Sequence, residues 1–228
     1  MLVSAIMPTR SRPALSRVAL QCFLRQTYEP RQLVILDDKD DPSFYTAPTD
    51  PGVIYLRVPR LDLGLKRNAL CEAAKGEVIV HFDSDDWSAP ERIADQVARM
   101  VDSRRPVTGY RELLFWHEEA SKGYRWKVSS PPSMRHSDGT LETVCGASMC
   151  YWREFWKAHP FPDVHMGEDG YMEAAGQRFG GVSSEESRNL LIARVHGDNT
   201  SSSGRLGHNS WPEVPRSEFP AAFFEAIQ

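Results

Sequence analysis

The chain has 228 residues, a hydrophobic fraction of 41%, a charged fraction of 25% and a formal net charge of −4. That composition excludes a disordered or fibrous protein, and a single α/β domain of this length can bury an ample core. The mild negative charge excludes a global electrostatic pull toward nucleic acid or an anionic membrane, and no apolar run approaches the roughly 18 to 20 residues that cross a bilayer.

Leu2 to Met7 is a short apolar run ended by Pro8, and Gln32 to Leu36 is a second one ended by Asp37 and Asp38. Both predict buried strands. Between them, Leu15, Val18, Ala19, Cys22 and Phe23 fall at helical spacing within Ala14 to Arg25, so the chain opens as a βαβ unit with parallel strands. Asp40 to Pro51 has loop composition, and Val53 to Val58 predicts a strand. Leu65 to Ala74 predicts a helix with Gly76 as its stop, Val78 to Phe82 a strand and Pro90 to Met100 a helix. This alternation predicts a doubly wound α/β layer, in which ligands sit at the carboxyl ends of the strands.

From about Val107 the composition turns aromatic. Tyr110 to Trp116 and Tyr124 to Val128 predict antiparallel strands around a turn at Glu118 to Gly123. Leu190 to Val195 is an apolar strand-like run, residues 201–215 read as a mobile loop, and Ser217 to Ile227 as a short terminal helix. No linker splits the chain, so one domain is expected over 1–200, with halves at 1–105 and 106–200 and a tail at 201–228. Met1 to Met7 leads straight into a loop, and Cys22, Cys71, Cys145 and Cys150 form no Cys-x-x-Cys pair. Neither signal peptide nor anchor is expected, and reduced thiols in the cytoplasm are the simplest account.

The most informative stretch is Gly76 to Trp87, where a β-rich run enters Asp83-Ser84-Asp85-Asp86. Clustered acids at a strand end suit a hard divalent cation, and Mg²⁺ is usually held by one or two carboxylates plus substrate phosphates. The plainer reading is a strand-to-helix turn in which Asp86 or Ser88 caps the helix after Pro90. Lys66 and Arg67 follow Gly64 at a helix start, where N–H groups and cations can meet a diphosphate; helical geometry favours only one of them pointing inward.

Val3 to Arg10, the Asp37-Asp38 pair, Gly64 to Leu70, Ala74 to Glu77 and the Asp83 to Asp86 motif together resemble family 2 glycosyltransferases with the GT-A fold. The likeness is dense over the first hundred residues and continues at Gly167-Glu168-Asp169 and His196 to Thr200. It implies a single GT-A type, Rossmann-like α/β domain with a mostly parallel central sheet and a small antiparallel acceptor-side portion. It also implies a nucleoside diphosphate sugar donor, UDP-sugar favoured, and a Mn²⁺ or Mg²⁺ cofactor. Pro8, Thr9, Arg10, Arg12, Asp37 and Asp38 would hold base and ribose, although Arg10 and Arg12 also read as solvated loop charges and the Asp pair as a turn. Lys66 and Arg67, the latter favoured with Asn68 nearby, would meet the diphosphate. Asp83 and Ser84 would contact the donor.

In this DXD motif Asp85 would be the principal metal ligand, with Asp83 and His196 as further ligands, Asp198 as a substitute for His196, and Asp86 as support. Asp169 would be the base of an inverting transfer, with Glu168 as runner-up and N-capping of a Tyr171 to Arg178 helix as the plain alternative for Asp169. Trp116, Trp126 and Trp152 are candidate sugar-stacking rings that the sequence does not separate. His136, His165 and His208 read as surface histidines.

The acceptor would be a hydroxyl on a glycan or a lipid-linked sugar. A modified DNA base is less favoured, since Arg99 to Arg105 and Arg125 to Lys127 are only local basic patches. Two alternatives compete, a sugar nucleotidyltransferase and a non-catalytic nucleotide-sugar-binding module. The first expects a glycine-rich loop after the first strand, which Met7 to Pro13 lacks; retention of both the Asp83 to Asp86 motif and Glu168-Asp169 argues against the second.

Overall fold

A computed structural model of the chain describes residues 1–38, 48–127, 143–197, 199 and 211–227. The first four long strands, β1 (Val3–Thr9), β2 (Arg31–Asp37), β3 (Val53–Arg57) and β4 (Val78–His81), lie side by side in the order β3-β2-β1-β4, all parallel. Every residue of β1 and β4 is buried, as expected of strands covered by helices on both faces. Helices α1 (Pro13–Leu24), α2 (Leu63–Ala73) and α3 (Arg92–Ser103) supply that cover.

The sheet then changes character. Two-residue β5 (Trp87–Ser88) leads to α3, after which β6 (Val107–His117), β7 (Lys122–Lys127) and β8 (Cys150–Trp152) continue the sheet in antiparallel pairings, with β8 between β4 and β6. Short α4 (Arg153–Ala158) and α5 (Glu168–Phe179) precede β9 (Val182–Glu186) and β10 (Leu191–Val195), which both run parallel to β6. The result is the expected mixed sheet, in which most of the paired residues are in parallel pairings and the antiparallel portion lies mainly in the second half.

Boundaries shift for local reasons. β1 extends through Pro8 and Thr9, because proline's missing N–H is tolerated where the strand ends. Helix α3 starts at Arg92 rather than Pro90, and neither Asp86 nor Ser88 caps it. Within the aromatic run 151–156, the first two residues finish β8 and the rest begin α4. Trp211 to Pro215, expected in a mobile loop, instead contains β11 (Glu213–Val214), which pairs with β7. The terminal helix is only α6 (Ala221–Ile227), since Pro220 separates it from a 3₁₀ turn at Arg216–Glu218. Val128, residues 201–210, Asp198, Thr200, His136 and His208 lie outside the described residues. Among the described residues no helix is long and apolar enough to cross a membrane.

Candidate active site

The carboxyl ends of β1, β2 and β4 open into one cleft of about 1070 Å³, closed on the far side by α5, β10 and the turn at 145–147. Of the candidates that the sequence offers, Pro8, Thr9, Arg10, Arg12, Asp38, Lys66, Arg67, Asp83, Asp85, Asp86, Trp126, Glu168 and Asp169 line it. Asp37 does not: it is buried at the end of β2 and accepts the Tyr55 hydroxyl at 2.9 Å. Ser84 is also behind the wall, its buried Oγ without a hydrogen-bond partner among the described residues. His196 stands just off the lining and reaches in to Asp85.

The wall made by the strand ends and α2 is a web of ion pairs. Lys66 and Arg67 are both buried, contrary to the expectation that only one turns inward. The reason is the depth at which α2 begins: a Cβ on Gly64 would lie 1.9 Å from the Pro162 carbonyl oxygen, so the first turn is wedged between the strand ends and the 161–164 segment. Lys66 Nζ donates to Asp38 Oδ1 at 2.7 Å, and burial lowers its pKa. Arg67 donates through Nε to Glu168 Oε1 at 2.8 Å and through Nη1 to Asp83 Oδ1 at 3.3 Å. Burial works against the Arg67 charge, and the Asp83 and Glu168 carboxylates outweigh it. The guanidinium therefore bolts α2 to both β4 and α5. Asn68 does not line the cleft, because its amide holds the Phe161 backbone and the Trp156 indole N–H.

The three acids of the motif have separate fates. Burial would raise the Asp85 pKa, but a hydrogen bond from His196 and the charge of Arg12 hold it below the usual range. Arg12 Nη1 lies 2.7 Å and His196 Nε2 3.2 Å from the same Asp85 oxygen. Asp83 is raised by burial, which Arg67 opposes in part. Asp86 is raised well above its usual value by burial and by the other two charges, and its Oδ1 accepts the Arg194 backbone N–H at 3.2 Å. Asp86 thus ties the motif to β10.

For a divalent cation, Asp85 and His196 form a converging oxygen and nitrogen pair. Asp83, turned to Arg67, does not join them, and among the described residues no three acids, histidines or cysteines cluster as ligands. That pair suits a cation whose remaining positions are filled by substrate phosphates.

On the opposite wall, Glu168 and Asp169 diverge. Glu168 points inward to Arg67, whereas Asp169 lies against Gly146, where a Cβ would come within 1.9 Å of its Oδ2. Asp169 is raised by burial and by Glu168. It does not cap α5; the cap position is Gly167, in the left-handed region at φ 85°.

Two residues that the sequence did not flag hold this wall in place. His81 is fully buried, with Nδ1 2.7 Å from the Gly146 carbonyl and Nε2 3.1 Å from the Tyr151 hydroxyl. The carbonyl only accepts, so Nδ1 carries the proton. Arg92, also fully buried, donates to the carbonyls of His81 and Ala147 at 2.6 and 2.9 Å and stacks over Phe82. Arg60 and Arg194 also line the cleft.

The candidate rings separate. Trp126 lines the cleft with Phe115 and Trp211, Trp116 packs under Phe219, Phe223 and Phe224, and Trp152 lies at a different surface groove. Among the basic patches, Arg99 is paired with Asp95 and Glu185, and Arg125 with Glu112 and Glu218, which argues against a phosphate-binding strip there.

A parallel α/β layer whose strand ends carry an acidic motif, joined to an antiparallel portion, defines the GT-A class. The chain belongs to glycosyl transferase family 2, whose family model matches residues 4–157. It is 32% identical over 100 residues to the Escherichia coli (strain K12) protein WcaA, named for colanic acid biosynthesis glycosyl transfer; the match covers 41% of this chain and 36% of WcaA. In architecture it is similar to the mannosyltransferase PcManGT from Pyrobaculum calidifontis, solved with GDP-Man and Mn²⁺, at a TM-score of 0.66 and 17% identity, covering 91% of this chain and 61% of that one. It is also similar to S. aureus TarS 1-349 solved with UDP, at a TM-score of 0.61 and 17% identity, covering 90% and 62%. The chain thus spans about a third of WcaA and about three fifths of these two structures.

Proposed function

We propose that the chain is a metal-dependent, inverting glycosyltransferase of the cytoplasm that moves a sugar from a nucleoside diphosphate sugar, UDP-sugar favoured, to an acceptor hydroxyl. The observation that carries this reading is the division of one cleft into a charged acid at the strand ends, Asp85, and a raised acid on the opposite wall, Asp169, that meets no cation in an ion pair among the described residues. Base and ribose lie along Pro8 to Arg12 and Asp38. Arg10 and Arg60 are the cations that line the cleft toward the diphosphate, because Arg12, Lys66 and Arg67 are committed to carboxylates. Asp85 and His196 would hold a Mn²⁺ or Mg²⁺ ion, whose positive charge would stabilise the departing diphosphate.

Asp169 accepts the proton of the acceptor hydroxyl as that oxygen attacks the anomeric carbon and the bond to the diphosphate breaks. Its raised pKa suits this role, since a stronger base takes a hydroxyl proton more readily. Glu168 fixes the helix that carries Asp169 through its ion pair with Arg67.

The test is UDP release from a panel of UDP-sugars with Mn²⁺ and a mixed acceptor library. Acceptor-dependent release that falls by about 10² or more in Asp169→Asn, with UDP affinity retained, is the expected result. Release that is unchanged in Asp169→Asn would overturn the assignment of the base.

A further inference from the structure

The proposed transfer leaves open what presents the hydroxyl. Three half-buried rings form a corner of the cleft: Phe115 and Trp211 have centroids 4.9 Å apart, Phe115 and Trp126 5.8 Å, and Trp126 and Trp211 6.4 Å, all mutually tilted by 59 to 65°. They are held from two directions, Phe115 and Trp126 by the paired strands β6 and β7, and Trp211 by the segment leading into β11. Phe115 and Trp126 pack against the buried cluster of Tyr110, Leu113 and Leu191, and so do Cys145 and Ala147, the two neighbours of Gly146, on which the Asp169 carboxylate rests. The corner, the 145–147 turn and the proposed base therefore line one cleft, with the turn and two of the rings on a common support.

A second observation lies on α5. Glu173, one helical turn beyond Asp169, also lines the cleft. It is anchored by hydrogen bonds with the Thr143 side chain and the Val144 backbone, yet its Oε1 is buried without a hydrogen-bond partner among the described residues. A buried oxygen left without a donor is costly, so a ligand that supplies one is favoured.

We propose that Phe115, Trp126, Trp211 and Glu173 form the acceptor subsite for a neutral sugar ring, with Glu173 selecting which hydroxyl faces Asp169. This inference rests on the transfer reading above. A pyranose matches both observations: its C–H face stacks on aromatic rings, and its hydroxyl edge donates to carboxylates. Glu173 and Asp169 disfavour a phosphorylated acceptor, because like charge in a half-buried cleft is repelled. Burial and the Asp169 charge raise the Glu173 pKa, consistent with a carboxyl group that a hydroxyl donor would stabilise in its charged form.

The full chain, with UDP and Mn²⁺, is applied to an array of neutral glycans, phosphorylated glycans and single-stranded DNA, with UDP calorimetry on the same samples. Neutral glycans are expected to be retained. Trp126→Ala and Trp211→Ala should weaken retention about tenfold, while Trp126→Phe and Trp211→Phe, which keep a ring, should restore most of it. With the best-retained glycan as acceptor, Glu173→Gln should change the ratio of product linkages. UDP binding without neutral-glycan binding, preference for DNA or phosphorylated glycans, or alanine variants that bind like the parent would overturn the subsite. An unchanged linkage ratio would overturn the part given to Glu173. Glycan binding without UDP binding would support the subsite and overturn the donor reading.

Discussion

Replacing Arg67 by methionine tests how the two walls of the cleft are joined. The side chain is 5% exposed and pairs with Glu168 and Asp83, themselves 3% and 20% exposed. Methionine keeps most of the stem's volume and removes the charge, leaving two carboxylates without their cation. Removing one partner of a buried pair costs about 3 to 5 kcal/mol, and two orphaned acids place this site toward the upper end. The loss should depend on pH. The Asp83 pKa, already raised by burial, rises further once the Arg67 charge is gone, so the penalty is full at neutral pH and fades as pH falls through the variant's folded value toward the parent's.

Urea unfolding followed by tryptophan fluorescence at pH 8 and pH 5 measures both effects, and Arg67→Met with Glu168→Gln should recover at least about 1 kcal/mol by removing one of the two orphaned charges. A single variant that loses less than about 1 kcal/mol, or the same amount at both pH values, would refute the reasoning.

Two further variants probe the turn at 145–147. Gly146→Ala would place a methyl 1.9 Å from Asp169 Oδ2, so Asp169 must rotate away; glycosyl transfer should fall at least about tenfold with UDP affinity unchanged, as steady-state kinetics and calorimetry would show. His81 has a folded pKa well below its usual 6.5, because of burial and the nearby Arg67 charge. Its contribution to stability is present in full above about pH 6.5 and is lost as pH falls toward the folded value, at about 1.4 kcal/mol per pH unit. Asp86 acts in the opposite sense where the windows overlap, since its folded pKa is raised. The check is therefore the difference in unfolding free energy between the parent and His81→Gln from pH 7.5 to 5, which should hold down to about pH 6.5 and shrink below it; a constant difference throughout would count against a neutral, buried His81.

The parallel half was legible because buried strands leave continuous apolar runs and each ended in a recognisable polar group, Thr9, Asp37 or Asp83. The same logic failed at the start of α2, where one-sided helical geometry argued for a single inward cation. The wedging of Gly64 against Pro162, about a hundred residues away, buries the whole first turn and both Lys66 and Arg67. His81 and Arg92 left no signal because their partners are backbone carbonyls of Gly146 and Ala147, which any sequence would supply. Trp116 and Trp126 were indistinguishable until strand pairing fixed which face each ring takes: on β6, successive residues alternate, so Phe115 turns to the cleft and Trp116 to the aromatic cap of α6. The two-residue β11 is too short to produce a period.

The central claim is that Asp85, charged and in contact with His196, anchors a metal-bound nucleoside diphosphate. Calorimetric titration of UDP, GDP and dTDP into the chain, with and without Mn²⁺, tests it most directly when repeated on Asp85→Asn. One nucleotide, UDP on this account, should bind at least about tenfold more tightly with Mn²⁺, and the gain should vanish in the variant. Binding that ignores the metal, or a variant that keeps the full Mn²⁺ effect, would contradict it.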